Sequence, residues 1–450
     1  MTELDGEVPP GWQTTTLGSV GKWGSGGTPR RGVGAYFGGS IPWLKIGDLT
    51  DGIVTESEET ITQEGLENSS AKLVDPGTLL VAMYGSIGKL GIPAMTCATN
   101  QAIAFCTPDP TVTTSKFLFQ LLLHLRPTLV GEGKGGNQSN ISQTVLKALA
   151  VPLPSLDEQE RLVQCLEFSA SSALSATSHL ATAARAIERF HQAVLTAACS
   201  GRLTGDWRKR FSGPKARPLA RNTSVRRRRA SVEVSLPWPE LPGDWVLARV
   251  SEISELVTDG DHNPPRRTSS GIPHLTARNV RGGKLTLENC TFLAPNDFDR
   301  VRRRYDPHEG DVIITCVGTL GSTAVVPAGF TFSADRNLAV IRPKRGVHPD
   351  YLRLVLDSPI VQMHIRDASG STSQPHLYLG ALREIPIPVA PAEEQVEIVR
   401  QVADLIAHAD SLRDRIDAAN TTIVRGAQAV LAKAFRGDLA APLERPVNEQ

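Results

Sequence analysis

The strongest constraint on this chain of 450 residues is internal: a series of motifs occurs twice, in the same order. PPGW, ending at Trp12, returns as LPGDW, ending at Trp245. IPWLKIGDL (41–49) returns as IPHLTARNV (272–280). DPGTLLVAMYGSIGKLGIP (75–93) returns as HEGDVIITCVGTLGSTAVVP (308–327), and AVPLPSLDEQERLV (150–163) as EIPIPVAPAEEQVEIV (384–399). NQAIAF (100–105) parallels RNLAVI (336–341), and each copy closes with QAVL, small residues and Gly-x-Leu, at Gly201 and Gly437. The offset stays between 231 and 236 residues. The chain is therefore one unit duplicated, a pseudo-symmetric pair rather than a solenoid, which needs at least three stacked repeats.

In the first part of each copy, TLLVAMYG and DVIITCVG are short apolar runs bounded by turn residues, the pattern of buried strands. SKFLFQLLLHL and PDYLRLVLDSPIVQMHI read as amphipathic helices. The second part is a long helix. Ser155 is a candidate N-cap ahead of Asp157 and Glu158, and Pro391 a helix-start residue ahead of Glu393 and Glu394. Acidic side chains in a first turn favour the helix dipole. Small and apolar residues then step by four and three. In one copy they run through Ala173, Thr177, Leu180, Ala184, Ile187, His191, Val194 and Ala198. In the other they run through Val402, Leu405, Ala409, Leu412, Ile416, Ala419, Ile423, Gly426 and Val430. That is a heptad seam. Each helix has roughly 40 residues and a length of about 60 Å, too long to bury its seam on one small domain, so its expected partner is the other helix. Gly201 and Gly437 fit the left-handed position that ends a helix.

The predicted class is α/β: two tandem α+β domains separated by two long antiparallel coiled-coil helices, duplicated with pseudo-two-fold symmetry. The boundaries fall at 1–155 (first domain), 156–205 (central helix), 206–240 (linker), 241–390 (second domain) and 391–450 (C-terminal helix and tail). The linker is dense in Arg, Lys, Pro and Ser, with Arg226 to Arg229 as a like-charge block. That is the composition of a solvated tether, and it also suits non-specific contact with phosphates.

Net charge is +1, so affinity for a polyanion must come from local patches rather than from the sum. Six cysteines are scattered without a CxxC, which argues against a disulfide framework or zinc site and fits a reducing cytoplasm. The N-terminus MTELDGEVPPGW is acidic and lacks an apolar core, so no signal peptide is expected. No apolar run is long enough for a membrane span.

An α/β domain ending in PLPSLDEQERLV, followed by a long helix ending AVLxxAxxGxL, with the whole repeated, resembles the specificity subunit of type I restriction-modification systems. The sharpest element is P-x-P-x-x-x-E-Q: Pro152, Pro154, Glu158 and Gln159, then Pro386, Pro388, Glu394 and Gln395, with slightly different spacing after the second proline. The resemblance covers nearly the whole chain. It implies two target recognition domains, each reading one half of a split double-stranded DNA sequence, with the paired helices as a ruler between them. It also implies two methyltransferase subunits docked on this scaffold, with S-adenosylmethionine bound by those subunits rather than by this chain. A restriction/translocase subunit can join such an assembly.

Base readout needs paired donors and acceptors, Arg for guanine and Asn or Gln for adenine. Phosphates take Lys, Arg, Ser, Thr and backbone N–H groups. Four pairs of polar segments offer these at matching places. GSGGTPRR, with Arg30 and Arg31, matches TDGDHNPPRR, with Arg266 and Arg267. YGSIGK, with Ser86 and Lys89, matches VGTLGS, with Thr319. GEGKGGNQSNIS, with Lys134, Asn137, Gln138 and Asn140, matches ASGSTSQPHLY, with Ser371, Ser373, Gln374 and His376. Lys45 in one copy, and Arg278 and Asn279 in the other, follow the IPxL motif. Each segment also reads as an ordinary solvated turn or strand end.

No catalytic or metal site is expected. NPPR (263–266) resembles the Asn-Pro-Pro-aromatic motif of adenine methyltransferases, yet Arg266 stands where the aromatic would stack on a flipped base. GEGKGG lacks the GK[ST] of a phosphate loop. The ten histidines show no HExxH or zinc-finger spacing, and His191, on the helix seam, reads as a packed polar residue. The alternative function is a duplicated coiled-coil adaptor that binds protein only, without DNA specificity.

Overall fold

Proline has no N–H to give a neighbouring strand, so the P-x-P elements belong at a sheet edge. The structure, a computed structural model, describes residues 8–133, 140–211, 237–262, 265–369 and 375–439. In it Pro152 lies in the strand Ala150–Leu153, whose one neighbour is Gln13–Thr16. Pro386 and Pro388 lie in Pro386–Val389, whose one neighbour is Val246–Arg249. Each two-stranded ribbon ties the start of a domain to its end.

The chain divides into two compact units, residues 1–180 with 418–450 and residues 181–417. In the first unit a five-stranded sheet has the order Gly21–Ser25, Ile103–Pro108, Leu79–Ala82, Leu90–Pro93, Gly52–Val54. A four-stranded sheet has the order Glu59–Ile61, Phe37–Leu44, Cys97–Thr99, Leu73–Val74. In the second unit the corresponding orders are Ser254–Asp259, Leu338–Pro343, Val312–Thr315, Thr323–Val325 and Thr291–Leu293, Ile272–Leu275, Ser333–Ala334. Among the described residues the duplication holds strand by strand, each of these sheets being one strand shorter in the second unit. The apolar runs of TLLVAMYG and DVIITCVG form interior strands, Leu79–Ala82 and Val312–Thr315, buried at every position.

The longer helices among the described residues are α1 (Ser115–Glu132), α2 (Leu156–Cys199), α3 (Pro349–Leu356), α4 (Pro359–Ala368) and α5 (Ala392–Phe435). α1 is capped by Thr114, whose hydroxyl accepts from Phe117 N, and buries Phe117, Leu121 and Leu125 in the first core. α3 buries Tyr351, Leu352 and Val355 in the second. Pro359 separates α3 from α4 because it cannot supply the N–H that would continue the first helix.

α2 and α5 each span 44 residues, about 66 Å at 1.5 Å per residue. Within residues 181–417, Glu188 pairs with Arg413 at 3.3 Å and His191 with Asp410 at 3.7 Å. Residue numbers rise along one helix as they fall along the other, so the helices run antiparallel. In α5 the inward positions include Val402, Ile406, Ala409, Arg413, Ile416, Ile423, Ala427 and Val430. The expected seam residues Leu412 and Gly426 are exposed, and their neighbours Arg413 and Ala427 take their places. In α2 Thr177 is exposed and Ala176 is half-buried instead. In α2 a run of small residues leaves this one-residue choice open to the packing.

Gly201 and Gly437 have φ of +72° and +75°, the left-handed geometry that ends a helix. Gly201 N donates to Ala198 O, and Asp438 N to Lys433 O. A Cβ on Gly201 would lie 2.5 Å from Pro242, and one on Gly437 2.7 Å from Pro9. Those prolines belong to LPGDW and PPGW. Each long helix therefore ends against the opening motif of the other copy, with Ala198 and Cys199 in the second core and Ala434 and Phe435 in the first. No helix among the described residues is long and apolar enough to cross a membrane.

Candidate nucleic-acid interface

The Glu-Gln pair of the sharpest repeated element is spent on architecture. Gln159, 1% exposed, donates through Nε2 to Val112 O (2.9 Å) and Pro154 O (3.0 Å) and accepts from Thr113 Oγ1 at 2.8 Å. Gln395 repeats the arrangement, donating to Gly346 O (3.0 Å) and Ala390 O (2.8 Å) and accepting from His348 N at 2.7 Å. Glu158 accepts from Trp12 Nε1 at 3.2 Å, and Glu394 from Trp245 Nε1 at 3.0 Å. The W of PPGW or LPGDW and the E of E-Q are thus two ends of one hydrogen bond.

Polar loops gather elsewhere. In residues 181–417 an open cleft of about 510 Å³ is lined by His274, Arg278, Asn289, Thr291, Thr319 and Asn337, among others. Two elements shape it. The strand Ile272–Leu275 runs into a 3-10 turn, Ala277–Asn279. The hairpin between Val312–Thr315 and Thr323–Val325 supplies Thr319, with Gly318 and Gly321 both at φ +82°. Gln362 Nε2 holds that loop by donating to Gly321 O at 2.8 Å. Asn279 is 2% exposed and braces the turn: Oδ1 accepts from Thr276 N (3.0 Å) and Oγ1 (3.2 Å), and Nδ2 donates to Thr286 O (3.0 Å) and Glu288 O (3.2 Å). Thr319 Oγ1 ties the hairpin to the turn by donating to Ala277 O at 3.2 Å. His274 is buried, with Nδ1 3.1 Å from Ser333 Oγ and Nε2 3.8 Å from Asp335. Burial opposes the charge of Asp335, but His274 and the Asn337 N–H outweigh it and hold the carboxyl below its usual range. Arg267 stands near Asp335 and Asp261. Burial pushes its guanidinium down despite their attraction.

The first unit builds the same frame with other side chains. Gly85 and Gly88 have φ of +64° and +75°, and Arg126 Nε donates to Gly88 O at 2.8 Å, as Gln362 does to Gly321. Asp48 takes the place of Asn279, its Oδ2 accepting from Lys45 N at 2.6 Å. Lys89 Nζ reaches Ile46 O (3.3 Å) and Gly47 O (3.4 Å), tying hairpin to turn as Thr319 does. Lys45 lies between Glu58 (2.7 Å) and Glu59 (2.8 Å). Arg31 pairs with Glu59 at 2.7 Å and sits 4.9 Å from the ring centres of both Phe37 and Trp43. Hydrogen bonds from Lys45, then Arg31, hold the Glu59 carboxyl below the usual range.

The family model described as "Type I restriction modification DNA specificity domain" matches residues 9–175 and 283–420. The chain belongs to this family. The specificity subunit of the type I restriction enzyme EcoBI of Escherichia coli is 25% identical over 405 residues, 89% of this chain and 80% of that protein. That of EcoDI, also of Escherichia coli, is 25% identical over 441 residues, 97% and 90%. A chain solved in a study of complex assembly and conformational transition of the type I R-M system matches with a TM-score of 0.72 at 20% identity, covering 96% of this chain and 100% of that one. The HsdS subunit from Thermoanaerobacter tengcongensis matches at 0.56 and 20%, covering 98% and 100%. At such identity these structures establish the fold.

In this specificity subunit most of the sequence-derived contact residues fall into three groups, with Arg267 and His376 half-buried apart from them. Arg30, Ser86 and Asn140 in the first unit, and Arg266, Arg278 and Thr319 in the second, are exposed. Asn140 forms a backbone bridge to Tyr84, and the rings of His376 and Tyr378 meet at a tilt of 57° with centres 4.4 Å apart. Arg31, Lys45, Lys89 and Asn279 already hold internal partners. For Asn279 burial leaves nothing over for a ligand. Lys134, Asn137, Gln138, Ser371, Ser373 and Gln374 lie outside the described residues, as does Asn263 of NPPR. His274, Asn289, Thr291 and Asn337 line the cleft but were not foreseen. The signal for His274 is a difference between the copies: IPHL carries His where IPWL carries the buried Trp43.

Proposed function

We propose that each unit of this specificity subunit reads one half of a split duplex sequence through its hairpin loop and 3-10 turn, and that the chain itself catalyses nothing. One observation carries this reading. Both units build the same braced pair of loops, held by Arg126 or Gln362 and by Asp48 or Asn279, yet dress it with different exposed side chains. A shared rigid scaffold with different loop chemistry is what two different half-sites require. The contacts are assigned to Arg30, Ser86 and Asn140 for one half and to Arg266, Arg278, Thr319 and His376 for the other. Two methyltransferase subunits, carrying S-adenosylmethionine, dock on α2 and α5, where Phe168, Leu174, Leu412 and Val424 are exposed. A restriction/translocase subunit joins this assembly in the cytoplasm.

Methylome sequencing of the host with and without the gene tests the reading: a bipartite adenine-methylation motif should vanish with the chain. Methylation by the purified chain alone would refute it. A second expected result concerns spacing. One helical turn, about 5.4 Å, added to both long helices should widen the gap between the methylated half-sites by about one to two base pairs and leave each half-site unchanged. An unaltered gap would remove the ruler role.

A further inference from the structure

We infer that Arg278 reads a guanine in the half-site bound by residues 181–417; the inference rests on the proposal that this unit's loops receive DNA. Arg278 is exposed, lines the cleft and has no ion-pair partner among the described residues. That sets it apart from Arg302, Arg304, Arg342 and Arg353 of the same unit, each of which holds a carboxylate.

Its backbone is fixed from both sides. Asn279 ties the turn to Thr276, Thr286 and Glu288, and Thr319 ties it to the hairpin. A side chain on so constrained a turn loses little backbone entropy on binding. The surroundings choose between the two anionic or polar faces of DNA. A phosphate track gathers several cations. Among the described lining residues the one guanidinium, that of Arg278, stands among the neutral amides and hydroxyls of Asn289, Asn337, Thr291 and Thr319. That mixture suits base edges, where the arginine fork matches guanine O6 and N7. In the first unit Gly47 occupies the equivalent place, one residue before the capping Asp48, so no side chain there can do the same. Guanine reading at this turn belongs to one half-site.

The test uses the full chain assembled with its methyltransferase subunits. Binding is measured on duplexes bearing each of the four base pairs at every position of the second half-site, as defined by the host methylome. Wild type should prefer guanine at one position. R278K and R278Q should each lose about 5- to 150-fold of that discrimination, with the other positions and the first half-site unchanged. Lysine keeps the charge but not the planar fork. If R278K binds as wild type while R278Q weakens every duplex equally, Arg278 holds a phosphate and the inference is overturned. If both variants keep the guanine preference, it is equally overturned. A wild-type assembly with no base preference anywhere in the second half-site overturns the reading of the cleft as well, an outcome distinct from the other two.

Discussion

Replacing Arg208 by alanine is expected to destabilise residues 181–417 by about 3–5 kcal/mol, the cost of leaving a buried carboxylate without its cation. The carboxylate is Glu394, whose side chain is 2% exposed against 22% for Arg208. Its Oε1 accepts from Arg208 Nη1 and from Thr204 Oγ1 (2.6 Å), and its Oε2 from Trp245 Nε1 (3.0 Å). Arg208 Nη2 also donates to Gly201 O at 2.6 Å. One guanidinium thus joins the start of α5 to the end of α2. The first unit offers an internal control. Glu158, the matching carboxylate, is half-buried and accepts from Trp12. Glu158→Ala should therefore cost only about 1 kcal/mol, the value of one ordinary hydrogen bond. Urea unfolding followed by hydrogen exchange in each unit would distinguish the two. A loss below about 1 kcal/mol in R208A would mean that Thr204 and Trp245 suffice to hold the charge.

Asp311→Ala is expected to cost a similar amount, about 3–5 kcal/mol, in the same unit. Asp311 is fully buried at the start of the interior strand Val312–Thr315. It accepts from Arg342 Nε (2.7 Å) and Nη2 (2.8 Å), from Tyr305 OH (3.0 Å) and from His308 N (2.9 Å). Burial, then the charge of Asp311, pushes the Tyr305 hydroxyl well above its usual range, so it remains a donor. The hydrogen bond to Asp311 in turn raises Arg342. Removing the carboxylate leaves the partly buried Arg342 with the Asp306 carbonyl but no carboxylate, and takes this acceptor from two neutral donors at once. In the first unit Thr78 holds the equivalent place, buried but uncharged, so Thr78→Val strands no charge and should cost no more than about 1 kcal/mol. Thermal and urea unfolding of the two variants would measure the contrast, and equal losses would show that the buried charge at Asp311 contributes nothing beyond filling its place.

These two sites also show how far the sequence could be read. In the sequence LPGDW and E-Q stand as separate marks of duplication. Nothing in their spacing tells that Trp245 and Glu394, 149 residues apart, are bonded to each other. Nor does it show that Arg208, outside every motif, completes the site. The same limit governs the contact residues. Arg31, Lys45 and Lys89 have the composition of DNA ligands, but Glu59, Phe37, Trp43 and the carbonyls of Ile46 and Gly47 occupy them. Arg278 has the same composition and holds no ion-pair partner among the described residues. Asn279 and Asp48 differ in type, yet both cap the same turn, a role that only their hydrogen bonds disclose.

By itself the sequence determined the duplication, the interior strands, the two long helices and the glycines that end them, because apolar periodicity, capping and turn chemistry act over a few residues and are written locally. Which of two adjacent residues enters the helix seam, which helix end meets which opening motif, and which basic side chains stay unpaired were decided only by the tertiary structure. Those outcomes depend on distances between groups well separated in the chain, 14 residues for Lys45 and Glu59, 43 for Lys89 and Ile46 and 186 for Glu394 and Arg208, and charge pairing and close packing act through space.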